Sequence, residues 1–226
     1  MRIVFCALLV LSGCRSPSPS QSTEKAAVSP ALTTAETLAR HGLDGWSTAR
    51  LAATDGPTWI AAAMANPAGG PLMALVSMAE QKTTRLPLSA DTAFGQLDPD
   101  FWPDASNWRV TLAPIAGAPT LMVLTVSGAA GTDLEQQREA MAVLRRRDGH
   151  VVWGGPGAWE MTEMGRCTTG HTITFDRQDG ALWLLHEGFS EWTDQTGETS
   201  QSPDYARLKR DCRRPPHRRV RLGLPE

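Results

Sequence analysis

Nothing in this chain is long and apolar enough to stay in a bilayer: the longest unbroken apolar run, residues 3–11, has nine residues, whereas a transmembrane helix needs about 20. Lysine is nearly absent, three residues against 19 arginines, a bias that reads as genome composition. The formal net charge of −2 and isoelectric point near 6.2 lack the overall basic excess of a nucleic-acid binder. Also missing are a Gly-x-Ser-x-Gly nucleophile elbow, a phosphate loop, a dinucleotide fingerprint and a His-Glu-x-x-His zinc motif. These absences weigh against an enzyme, and the sequence assigns no catalytic residue, no cofactor and no metal ligand.

Cysteine is scarce too, and the positions of the four are informative. Arg2, the apolar run and the small pair Ser12-Gly13 before Cys14 have the layout of a secretory signal. Leu11-Ser12-Gly13-Cys14 resembles the lipobox of bacterial lipoproteins. The resemblance implies cleavage before Cys14 and acylation of that cysteine, palmitate-type chains included. Each buried methylene contributes roughly 0.8 kcal/mol, so several chains hold a protein on a membrane without spanning it. Where that family keeps proteins in the inner membrane with an Asp, Arg15 stands here. The resemblance therefore implies the outer membrane, at its periplasmic face or on the cell surface.

Three segments follow: a signal peptide over 1–13, a lipidated Cys14 with a Ser- and Pro-rich tether over 14–32, and one folded domain over 33–226. The tether is too poor in large apolar groups to bury a core. Cys6 leaves with the signal and Cys14 takes the lipid, which leaves Cys167 and Cys212 to pair in an exported protein.

The expected fold is α+β, with short N-terminal helices packed on an antiparallel meander of about six strands. Helices are expected at 34–41, stopped by Gly42, at about 57–66 between Pro57 and Pro67, and at about 71–81 from Pro71, the last equally readable as a buried strand. Strand signals begin at Trp108. Two hairpin signatures follow, Asp148-Gly149 and Asp179-Gly180, the first preceded over 133–147 by a helical or extended lead-in that runs into a strand. Asp-Gly supplies the positive φ angles that a type I′ turn requires.

A two-residue turn at 179–180 pairs Phe175 with Leu184 and Ile173 with His186. His171 and His186 then become diagonal neighbours on one face, about 7 to 8 Å apart, and two imidazoles there could begin a metal site or a hydrolase. A third ligand is missing, since Glu187 points the other way, and the ordinary reading is two sheet histidines. Cys167 near His171 suggests a thiolate nucleophile, in competition with the disulfide. The loop Asp98–Trp108 sets carboxylates among indoles and suits a sugar platform or a cap on the core, while it lacks the sixth-position glycine and the terminal glutamate of a calcium loop, Arg109 standing in the latter's place. The tail over 203–221 is strongly basic, either a solvated end lying on the acidic body or a contact with anionic phospholipid, lipopolysaccharide or peptidoglycan carboxylates. Together these features predict a lipid-anchored envelope protein that binds or scaffolds, with membrane contact through its anchor, an envelope protein or glycan as partner and no nucleic acid. The alternative is a periplasmic hydrolase using His171 and His186.

Overall fold

The chain is described by a computed structural model covering residues 34–51, 57–65, 71–86, 107–131, 134–163, 166–194 and 203–222. Cys14, the tether and most of the Asp98–Trp108 loop lie outside the described residues. All described residues belong to the unit Thr33–Glu226.

An all-β architecture replaces the expected α+β fold. Among the described residues eleven strands form two antiparallel sheets, and the helices are two short ones, α1 (Thr34–Arg40) and α2 (Pro203–Asp211). The first sheet holds β1 (Ser47–Leu51), β2 (Trp59–Ala65), β3 (Pro71–Ser77) and β4 (Lys82–Leu86), each beside its neighbour in sequence. The second holds β5 (Asn107–Ile115), β6 (Ala118–Ala130), β7 (Leu134–Arg145), β8 (Val151–Glu163), β9 (Cys167–Gln178), β10 (Ala181–Trp192) and β11 (Arg218–Leu222), again in sequential order.

The helix expected at 57–66 is β2, and the segment 71–81 takes its alternative reading, the buried strand β3. Their continuous apolar composition reflects burial on both faces rather than a helical stripe. Trp59, Ala61, Ala63, Met73 and Leu75 pack against Leu112, Met122, Leu124, Ala142 and Leu144 of the second sheet. The alternate residues Ile60, Ala62, Ala74 and Val76 face Leu38 of α1 and Leu43 just beyond it. The helix stays where its cap signals put it, because Gly42, at φ 64°, turns the chain, and Leu43 N–H reaches back to the Leu38 carbonyl at 2.9 Å. Residues 134–145 are likewise strand throughout, since β7 lies between β6 and β8 and its Ala140, Ala142 and Leu144 enter the core.

The second sheet rolls. Arg177, at the end of β9, donates to the Gly117 carbonyl in the β5–β6 turn at 3.1 Å, although β7 and β8 lie between those strands in the sheet. Its inner face encloses a second core in which Leu121, Met141 and Val143 join Leu182, Leu184 and Leu222.

Candidate functional site

The site grows from the β9–β10 hairpin. Asp179 and Gly180 take φ angles of 50° and 75°, the two positive values a type I′ turn needs. The register that follows pairs Phe175 with Leu184 and Ile173 with His186. The imidazoles of His171 and His186 stand edge to face with centroids 6.0 Å apart. At the other turn, Asp148-Gly149 sits inside a longer loop, with Arg145 N–H bonded to the His150 carbonyl at 2.9 Å. Gly149 is buried there against Leu75 and Trp59.

The surroundings of the two rings decide their chemistry. Trp159 Nε1–H donates to His171 Nδ1 at 2.7 Å. His171 Nε2 lies 2.9 Å from the Pro216 carbonyl, and since a carbonyl oxygen accepts only, Nε2 carries the proton. Both nitrogens of His171 are therefore used in holding the structure, and the one lone pair, on Nδ1, is not open to a metal or a substrate proton. His186 is 2% exposed. Burial above all, then the neighbouring His171 and Arg218, lowers its pKa to about 4, so it is neutral at neutral pH. Among the described residues no group of three His, Cys, Asp or Glu side chains could hold a metal ion, and Glu187 is exposed, paired in the ladder with Thr172.

Cys167 is bonded to Cys212, with a Cα–Cα distance of 5.7 Å. Its sulfur is thus not a thiolate beside His171. The bridge fixes one end of a strap, residues 212–217, that crosses β9 and β10 on the face carrying the histidines. The strap can lie so close because residue 188 is glycine: a Cβ there would stand 1.9 Å from the Pro215 carbonyl oxygen. Beyond Pro216 the chain enters β11, where Arg218 pairs with His186.

Beside His171 opens a cleft of about 470 Å³ whose walls include Arg109, Arg138, Glu139, Trp159 and Phe189. A β-bulge shapes it. Arg138 pairs with Trp159 and Ala140 with Pro156, so the one residue between them on β7, Glu139, faces two on β8, Gly157 and Ala158. The Ala158 N–H freed by the bulge donates to Glu139 Oε2 at 3.2 Å. Loss of solvent raises the Glu139 pKa and that hydrogen bond partly counters the rise. Arg138 grips Gln136 Oε1 through Nε and Nη2 at 3.2 Å each.

Sequence reasoning found the histidine pair and the two cysteines but missed Trp159, Glu139, Gly188 and Pro216. No local pattern marks these four; rolling of the sheet and return of the tail bring them together. Compared with protein-family models, curated proteins and solved structures, the chain matches none.

Proposed function

We propose that this chain is a lipid-anchored envelope protein that binds rather than transforms its ligand, in the cleft between Arg109, Arg138, Glu139, Trp159 and Phe189. The observation that carries the binding role is the double engagement of His171, which turns the best chemical candidate into a structural strut. The cleft itself suits a polar ring-bearing ligand such as a glycan segment. Guanidinium and carboxylate groups offer paired donors and acceptors to hydroxyls, and the aromatic walls offer apolar faces. Support for the envelope comes from the Cys167–Cys212 bridge, a bond that persists in oxidising compartments, and from the lipobox resemblance around Cys14.

The test is the intact mass, without reduction, of the protein extracted from bacterial membranes. A chain beginning at Cys14, acylated and two hydrogens short of its dithiol form, is the expected species; a soluble, unacylated chain overturns the anchor. For the binding role, soluble peptidoglycan glycan fragments are titrated against the same protein and its Glu139→Gln and Arg138→Gln variants. Saturable binding weakened at least tenfold by either change is expected, and identical isotherms for all three proteins refute the cleft.

A further inference from the structure

The basic tail is not a loose end. It is a mounted edge of the second sheet. α2 is docked by Asp194 Oδ1, which accepts from Trp192 Nε1–H and Tyr205 O–H at 2.8 Å and from Lys209 Nζ at 2.9 Å. The disulfide holds residue 212, and β11 pairs along β10 from His186 to Leu182. Among the described residues β11 is the terminal strand of its sheet.

Charge is concentrated on this edge. Between residues 203 and 222 there are eight Arg or Lys and two Asp, a net of +6, so the other residues together carry −8 to give the −2 of the whole chain. All eight cations are exposed. Three of them meet carboxylates: Arg207 with Asp204 at 3.6 Å, Lys209 with Asp194 at 2.9 Å and Arg210 with Asp211 at 3.2 Å. Arg213, Arg214, Arg219 and Arg221 form no ion pair with a described residue. Charged side chains on an edge strand discourage edge-to-edge pairing, and β11 carries three arginines, Arg218, Arg219 and Arg221, among its five residues. On the outer face of β10–β11 the Arg219 guanidinium lies 4.8 Å above the Trp183 ring, and Arg221 pairs with Trp183 across the ladder. Asp176, opposite Trp183 on β9, is the nearest acid in the register.

We infer that this edge is a membrane-surface contact whose arginines take the phosphates of anionic lipid headgroups. A guanidinium binds phosphate through two parallel N–H donors. A half-buried indole beneath it matches the depth at which Trp and Arg share the bilayer interface. Because the edge is preorganised by the disulfide and the ladder, little conformational freedom is lost on contact. The contact does not rest on acylation of Cys14, and its test removes the lipid.

The full chain carrying Cys14→Ser is floated with phosphatidylcholine vesicles made with and without phosphatidylglycerol. Flotation with the anionic vesicles alone is expected, and high salt should abolish it. The triple change Arg214→Ser, Arg219→Ser and Arg221→Ser should weaken partition about a hundredfold, at about fivefold per residue. Arg40→Ser, Arg50→Ser and Arg147→Ser remove the same charge from exposed positions elsewhere and should leave partition nearly unchanged. A matching loss in both triples would show a net-charge effect and overturn the site. So would equal flotation with neutral vesicles, or binding to peptidoglycan sacculi without binding to vesicles. Hydrogen exchange over 212–222 supplies a second reading: anionic vesicles should slow it, and an unchanged rate contradicts the contact.

Discussion

Removing the disulfide tests how the C-terminal strap is held. In the double variant Cys167→Ala and Cys212→Ala, 45 residues of separation are released. Through the chain-entropy relation that loop corresponds to about 4 kcal/mol at 25 °C, acting mainly by freeing the unfolded chain. Cys167 is 5% exposed, so truncation also removes one small buried group, a minor addition of up to about 1 kcal/mol. For a domain of this size each kcal/mol moves the melting midpoint by about 2 to 4 °C, so a fall of about 8 to 16 °C is expected. Urea unfolding of the full chain gives the free energy directly, and hydrogen exchange shows where it is lost. Stability should drop for all strands together, with residues 212–217 the first to exchange, because β11 is still paired beyond them. A loss below about 1 kcal/mol would refute the reasoning, since it would mean that the unfolded chain gains little freedom from the cut or that the native bridge opposes its own loop closure.

Two further outcomes follow from the same site. His186 has its folded pKa near 4, below the ordinary 6.5, so the unfolded chain binds more protons between those values; its contribution is intact above pH 6.5 and lost as pH falls toward 4. That loss is at most about 3 kcal/mol, read as the pH dependence of urea unfolding; His186→Leu should flatten this part of the curve, and an unaltered curve would show that other groups set it. Gly188→Ala places a methyl against the Pro215 carbonyl oxygen, forces the strap off the sheet and sacrifices the His171–Pro216 hydrogen bond. The expected cost is about 2 to 4 kcal/mol, and a change within about 0.5 kcal/mol in denaturant titration would mean the strap moves aside freely.

How much of this could be read beforehand depended on the range of the interactions involved. α1 was legible because a helix stop is local: Gly42 supplies the left-handed residue wherever it stands. The β9–β10 hairpin was legible with its register, since a two-residue turn fixes every later pair. β2 was misread as a helix, and β3 was left open between helix and buried strand, because Ala, Met and Leu favour helices as isolated residues. A second sheet on one side and α1 on the other make a doubly buried strand of them instead. The Asp148-Gly149 turn differed because Gly149 is drawn in beneath Leu75 and Trp59, two residues far away in sequence.

The sequence alone determined the turn at Asp179-Gly180 and the stop of α1, and it pointed to Cys167 and Cys212 as disulfide partners once Cys6 and Cys14 were set aside for the signal and the lipid. Each depends on backbone torsions or on counting, which no tertiary context needs to supply. Tertiary structure decided the all-β class, the roll of the second sheet and the state of His171. Its Trp159 donor comes from the neighbouring strand and its Pro216 acceptor from a strap 45 residues downstream. A ring nitrogen becomes a ligand, a base or a strut according to which group stands about 3 Å away, and only the folded chain sets that neighbour.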